Sequence, residues 1–103
     1  MYKLYAFYSE PPEAEKAAFE EHYRTIHVPL CEKIPGIVKL EADKFTGAIG
    51  GGPASYYMVA ILSFNSKEEY DAGMASPEGR AVGRDTRNFP KGILSMAFAE
   101  PAE

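Results

Sequence analysis

The residues best suited to chemistry lie between Phe19 and Gly36, a stretch that holds both histidines and the only cysteine of the chain. His27 is the strongest candidate for a general acid or base, because an imidazole titrates close to neutral pH. It follows Tyr23 by four residues and precedes Leu30 by three, so helical spacing places its ring on the apolar side of the segment. The alternative is a structural histidine whose ring bonds a carbonyl at a helix break.

Asp85, in a second helical segment, is the carboxylate that could orient this ring. The spacing of Val82, Asp85 and Phe89 puts them on one helix face, so the carboxylate lies among inward-pointing apolar side chains. A buried carboxylate needs a partner, and pairing with His27 would fix the imidazole tautomer and raise its basicity. We therefore predict a catalytic pair of His27 and Asp85. The alternative is a pair between Asp85 and one of the nearby arginines, Arg80, Arg84 or Arg87.

The second histidine and the cysteine are predicted to be structural. His22 lies at the margin of the apolar stripe, where packing at the helix edge is expected. It is five residues from His27, which on an α-helix puts the two rings on different faces, so no metal site is predicted. Cys31 is interpreted as a small buried residue rather than an activated thiolate.

Aromatic residues are the expected substrate contacts, with Tyr23 able to offer a hydroxyl group. Pattern alone does not separate a cleft from a core, so the same rings could simply pack together. The wider set of candidates is Tyr5, Phe7, Phe19, Tyr23, Tyr57 and Phe89. The predicted substrate-binding residues are Tyr23, Phe19, Phe89 and Tyr57.

The elements that must position these residues follow from apolar periodicity, helix caps and turns. A long helix over 13–33 is expected to kink or restart near His27, because Pro29 cannot lie inside a regular helix. Ser66 with Glu69 forms a capping box for the next helix, and Ser76 precedes a further helical segment. Strands are predicted over residues 2–8, 37–45, 55–64 and 93–99.

This order of elements, β-α-β-β-α-β, predicts an α+β, ferredoxin-like fold in a single domain over residues 1–103. Right-handed crossovers put both helical segments on one face of a four-stranded antiparallel sheet. Strands one, three and four carry apolar residues on both faces, so the second face would expose a large apolar patch. A second copy of the sheet is the simplest cover, which predicts a face-to-face homodimer. Met58 and Leu62 represent the predicted interface face.

Composition excludes several classes of protein. A formal charge of -4 and the absence of a basic cluster argue against a nucleic-acid partner. The single cysteine fits a reducing cytoplasm, and Met1–Tyr8 lacks the basic region and long apolar run of a signal peptide. The longest apolar runs have strand length, so no membrane span is predicted. The glycine run at 50–52 lies between strands and is interpreted as a flexible hairpin loop rather than a phosphate cradle.

Two motifs in the chain resemble the EthD family, and the resemblance extends over almost the whole sequence. One is Phe19-x-x-His22-Tyr23-x-x-x-His27-Val28-Pro29-Leu30 followed by Ile34-Pro35-Gly36, and the other is Ser76-Pro77-Glu78-Gly79-Arg80-x5-Asp85-x3-Phe89. The resemblance implies a dimeric α+β barrel and a link to degradation of ethyl tert-butyl ether beside a cytochrome oxygenase system. Relatives with this domain in polyketide pathways resemble dehydratases or decarboxylases. The wider barrel superfamily includes cofactor-independent monooxygenases, so the resemblance implies that no cofactor is needed.

The function expected from these observations is that of a cytoplasmic, homodimeric, cofactor-free catabolic enzyme acting on a small hydrophobic or aromatic compound. Its structural sign would be a closed pocket to which His27 is exposed, with Asp85 behind the ring. The alternative is a non-catalytic accessory protein that binds a metabolite or a partner oxygenase, for which a collapsed pocket would be the sign. A haem-binding role is a third alternative, and a free His27 beside a slot of haem width would favour it.

Overall fold

Four strands and a layer of helices form the chain, in the order that the sequence predicts. The computed structural model describes residues 1–103. The sheet is antiparallel with strand order β2-β3-β1-β4, which confirms the α+β, ferredoxin-like prediction. The elements are β1 (Tyr2–Tyr8), α1 (Glu13–His22), a π-helical turn (Tyr23–His27), α2 (Val28–Glu32), β2 (Ile37–Lys44), β3 (Met58–Phe64), α3 (Lys67–Ala75), α4 (Pro77–Asp85), a 3₁₀ turn (Thr86–Asn88) and β4 (Leu94–Ala99).

The core lies between the sheet and the helices, and the strand register decides which side chains reach it. Leu4 pairs with Leu62 and Tyr8 pairs with Met58, so these residues share the helix-covered face. Met58 and Leu62 are only 5% and 4% exposed, and both belong to the central core cluster. The prediction that their face is the dimer interface is therefore wrong. Both faces of β3 are apolar, and alternation alone does not tell which face receives the helices.

The opposite face of the sheet has an apolar centre and a charged border. Tyr5 pairs with Ile61 and Phe7 pairs with Val59 at this centre. The ring of Phe7 lies 4.8 Å from that of Tyr56, measured between centroids. No helix covers these side chains, so this is the face that a second copy would have to cover. The border on β2 is formed by Lys39, Glu41 and Asp43.

Two serine caps start the helices that follow β3 and so fix the position of Asp85. The Ser66 hydroxyl accepts the N–H of Glu69 at 3.1 Å, and the Ser76 hydroxyl accepts the N–H of Gly79 at 3.0 Å. Both predicted caps are confirmed. From its cap at Ser76, α4 turns Gly79, Val82 and Asp85 inward. None of the helices has the length and apolar character needed to cross a membrane.

Candidate functional site

The helical segment that carries both histidines runs on without a break, through one π-helical turn. The N–H of Val28 donates to the carbonyl of Tyr23, five residues earlier rather than four. His27 and Val28 both keep right-handed helical backbone angles, so the irregularity predicted near His27 takes the form of a π turn, after which the α-helix resumes at Val28. A regular α-helix would bring the ring of Pro29 against the carbonyl of Thr25, and the wider turn just before the proline relieves that clash.

The additional residue in this turn changes which side chains face the core. After Tyr23 the buried stripe continues to His27 and Cys31, whereas Ile26 is 45% exposed. Five positions along a regular α-helix correspond to a rotation of about 140°. A turn with bonds between residues five apart brings those residues to nearly the same side of the helix. His22 and His27 therefore point toward a common neighbour.

That neighbour is Asp85, whose carboxylate binds both imidazoles. Nδ1 of His27 lies 2.8 Å from Oδ2, and Nε2 of His22 lies 2.8 Å from Oδ1 and 3.0 Å from Oδ2. The side-chain amide of Asn88 donates to Oδ1 at 3.1 Å. The partners of Asp85 are thus two imidazoles and an amide rather than an arginine. His22 does pack at the helix edge, with its ring 6.1 Å from that of Phe89, but its bond to Asp85 was not predicted, because α-helical spacing was assumed across the π turn.

Burial and hydrogen bonding set the charge states at this cluster. Burial lowers the pKa of His27, and this outweighs the opposite effect of its bond to Asp85, so the ring is neutral at about pH 7. Burial by itself would raise the pKa of the Asp85 carboxyl, but the bonds from His27, His22 and Asn88 hold that pKa below its usual value. Because Asp85 is ionised, its carboxylate can only accept a hydrogen bond, so Nδ1 of His27 must carry the proton. The lone pair on Nε2 is then free. The cluster therefore holds His27 in the tautomer that can act as a base.

A cavity of about 310 Å³ lies between the sheet and the helices, and His27 forms part of its wall. Most of the wall is apolar, with Leu62 from the sheet and Met74 and Val82 from the helices among its members. No lysine, arginine, aspartate or glutamate lines it. Asp85 stands behind the His27 ring, outside the cavity wall. The positions of His27 and Asp85 are those expected of an acid–base site, but the cavity is partly open rather than closed.

Only one of the four predicted substrate contacts, Tyr23, lines this cavity. Phe19 and Phe89 are buried in the core beside it, and the edge of Phe89 packs against the His27 ring with 4.8 Å between centroids. Phe89 therefore holds the imidazole in place rather than facing the cavity. Tyr57 is half-buried outside the cavity, near two lysine ammonium groups at 5.2 and 5.7 Å from its ring centroid.

Sequence reasoning missed Tyr8 as a member of the cavity wall. The available signal was strand alternation, which puts Tyr8 on the same face as Leu4, whereas Tyr5 and Phe7 are on the uncovered face. Cys31 also lines the cavity, and its prediction as a buried residue is confirmed. Burial raises the pKa of this thiol to about 12, so it is protonated at neutral pH.

The fold and the site define a class of protein, namely a ferredoxin-like α+β domain with an apolar cavity beside a buried histidine–aspartate pair. Residues 11–91 match the EthD domain, and the chain belongs to the EthD family. It is 40% identical over 100 residues to an uncharacterised 11.0 kDa protein of the thcB-thcC intergenic region of Rhodococcus erythropolis, covering 97% of this chain and 94% of that one. The resemblance of the two sequence motifs to EthD is thereby confirmed.

Solved structures agree with this assignment. An ethyl tert-butyl ether d (EthD) family protein from Bacillus halodurans C-125 is 34% identical, with a TM-score of 0.87 and 97% of each chain covered. A dimeric ferredoxin-like protein of unknown function from Thermobifida fusca is 12% identical, with a TM-score of 0.72, and covers 95% of this chain and 88% of its own. The second likeness is one of fold alone.

Proposed function

We propose that this EthD family protein is a catabolic enzyme that uses His27 as a general acid–base on a small hydrophobic compound held in the cavity. The observation that carries the proposal is the position of the imidazole. Its Nδ1 is 2.8 Å from a carboxylate oxygen of Asp85, while the ring lines an apolar cavity. A base held in one tautomer and presented to an apolar cavity is what proton abstraction requires.

The proposed step is a proton transfer that needs only these side chains. Nε2 of His27 accepts a proton from an acidic C–H or O–H group of the substrate, whose electron pair stays behind. The resulting imidazolium is stabilised by the carboxylate of Asp85 at Nδ1. His27 then returns the proton to another substrate atom, which completes an isomerisation, or to a departing hydroxyl group, which completes the loss of water.

Binding without turnover in the same cavity is the second candidate function. The wall of the cavity is predominantly apolar, which suits a metabolite-binding accessory protein as well as an enzyme. We further propose a cytoplasmic location, which the single, buried cysteine suits.

Exchange of substrate hydrogen for deuterium tests the enzymatic proposal. A panel of small neutral ketones, hydroxyketones and phenols in D₂O is followed by proton NMR, with and without protein. The wild type should accelerate exchange at an acidic C–H of at least one compound, and His27→Gln should abolish the acceleration. Tyr57→Phe is the matched control, because Tyr57 lies outside the cavity. Compounds that bind to the wild type without any accelerated exchange would favour the accessory-protein function instead.

We also infer that a second copy of the chain covers the uncovered face of the sheet. The centre of that face is apolar, and two ferredoxin-like proteins that share the fold are described as dimeric. The charged residues of β2 would then lie at the rim of the interface, where polar groups are common.

A further inference from the structure

Three tyrosines line the cavity, and two of them, Tyr8 and Tyr23, are buried with hydroxyls that have no partner in the protein. Tyr8 and Tyr23 are 2% and 6% exposed, and both line the cavity. Neither hydroxyl forms a hydrogen bond with another group of the chain, yet no fully enclosed side-chain nitrogen or oxygen is left without a partner. Each hydroxyl oxygen therefore keeps some accessible surface, and the cavity is the open space that both residues line. A buried hydroxyl directed into such a space is suited to bind a ligand oxygen.

The rings of Tyr8, Tyr23 and His27 contact one another in sequence. The ring of Tyr8 is 5.6 Å from that of Tyr23, and the ring of Tyr23 is stacked at 5.5 Å on that of His27, measured between centroids. Burial raises the pKa of both phenols, so each is a protonated hydrogen-bond donor at neutral pH. Neighbouring rings in the cavity wall thus carry two donors, the hydroxyls of Tyr8 and Tyr23, and one acceptor, Nε2 of His27.

The charge and size of the cavity limit what it can hold. An anion would find no lysine or arginine in the wall, and the carboxylate of Asp85 lies behind His27. Burying an unpaired charge is costly, so acids and phosphate esters are disfavoured. A volume of about 310 Å³ is roughly twice that of a cavity known to hold one benzene ring, at ~150 Å³. The space suits a neutral compound of one or two rings.

We propose that the ligand is a neutral cyclic ketone with an acidic C–H next to its carbonyl group. The carbonyl oxygen accepts hydrogen bonds from Tyr8 and Tyr23, and the adjacent C–H faces Nε2 of His27. When the proton moves to Nε2, the electron pair of the broken C–H bond passes to the carbonyl oxygen, giving an enolate that the two phenols stabilise. This inference rests on the proposed function and names its substrate class.

Binding of 2-tetralone, compared with the hydrocarbon tetralin, tests the inference by calorimetry or NMR titration. The wild type should bind the ketone about tenfold or more tightly than the hydrocarbon, the effect expected of one or two hydrogen bonds. Tyr8→Phe and Tyr23→Phe should each reduce this preference, and the double variant should remove it while still binding tetralin. Tyr57→Phe should keep the wild-type preference, and the anion 2-naphthoate should bind at least tenfold more weakly than the ketone.

Three results would overturn the proposal. They are equal affinity of the wild type for ketone and hydrocarbon, an unchanged preference in the double variant, and failure of the ketone to bind at all. A ketone preference that depends on Tyr8 and Tyr23, but with no hydrogen exchange in the wild type, would support the ligand class. It would count only against catalysis by His27, so the two proposals fail in distinguishable ways.

Discussion

His27 and His22 share one carboxylate but face different surroundings. The His27 side chain is almost fully buried at the cavity wall, whereas that of His22 is 29% exposed beside a shallow surface groove. Asp85 therefore links the cavity to the protein surface through two imidazoles. Removing its charge would leave buried donors without their acceptor, which is more costly than losing an exposed ion pair.

Acidification should lower the free energy of unfolding over a pH range that is set by the pKa of His27 in the unfolded and folded states. The pKa of His27 is depressed in the folded state, so below about pH 6.5 the unfolded chain takes up a proton that the folded chain resists. Stability is therefore complete above that pH and is lost as the pH falls toward the lower, folded pKa. The depressed pKa of Asp85 adds a further loss at more acidic pH, near and below about pH 4.

Urea denaturation between about pH 8 and pH 5 measures this effect. The midpoint of the wild type should decrease steadily on acidification, and that of His27→Gln should change less. A midpoint that stays constant or rises as the pH falls would show that the His27 ring is not held neutral by burial.

For the individual residues of the site, the sequence predicted the His27–Asp85 contact but not the role of His22. His27 and Asp85 each lie on an apolar helix face, so their inward direction follows from ordinary helical spacing. The direction of His22 depends on the π turn, which changes the angle between residues five apart. Apolar periodicity assumes one constant rise and rotation, so it does not show such a turn. Pro29 was the only local signal, and it was interpreted as a break.

Among the elements, α4 matters most for the site, because it carries Asp85 and packs closely against α3. A Cβ atom at Gly79 would collide with the carbonyl oxygen of Gly73 and the backbone of Met74. At Gly83, on the same helix, a Cβ atom would meet nothing within 4 Å. The two glycines are therefore a matched pair in one helix with opposite surroundings.

Alanine substitutions at these two glycines should have effects of opposite sign. Gly83→Ala should stabilise the protein by about 0.5–1 kcal/mol, because alanine loses less backbone entropy in a helix. Gly79→Ala should destabilise it by about 1–3 kcal/mol, because α3 and α4 must move apart. Urea denaturation of both variants measures the difference, and equal effects at the two positions would contradict the close packing described for α4.

The bounds of most elements could be predicted because their signals are local. Strand β1 follows from alternation of aromatic and aliphatic residues, and the starts of α3 and α4 follow from serine caps. The cavity could not be predicted, since it depends on how far the helices stand from the sheet. Tyr8 and Phe89 are both buried aromatic residues, and only the packed structure separates the one that lines a cavity from the one that fills the core.

On the scale of the whole molecule, the uncovered sheet face is the feature that most needs a partner. Its central residues, Tyr5, Phe7 and Ile61, are partly exposed, while Val59 is shielded by its neighbours. On the opposite face of the same strands the helices bury the residues of β1 and β3, although Met96 and Phe98 on the edge strand β4 stay exposed. The sequence showed that both faces are apolar, but not which one the helices cover, and so the residues first chosen to represent the interface belong to the core.

Charge substitutions on the two faces should therefore have different outcomes. Ile61→Lys should give a folded monomer, because the new ammonium group lies at the proposed interface and opposite Glu41 on β2. Met58→Glu should instead unfold the chain, because it buries an unpaired charge in the core. Light scattering at micromolar concentration and circular dichroism measure mass and folding. A monomeric wild type, or a dimeric and stable Ile61→Lys variant, would contradict the assignment of the interface.

The central claim is that Asp85 holds His27 as a neutral base whose free nitrogen faces the cavity. Long-range proton–nitrogen NMR of the imidazoles, recorded at about pH 7, observes this state directly. The expected result is a neutral His27 ring with its proton on Nδ1, and a change in the Nε2 resonance when 2-tetralone is added. Asp85→Asn provides the comparison, because loss of the carboxylate should lower the pKa of His27 further. A proton on Nε2, or a charged His27 ring at this pH, would contradict the claim.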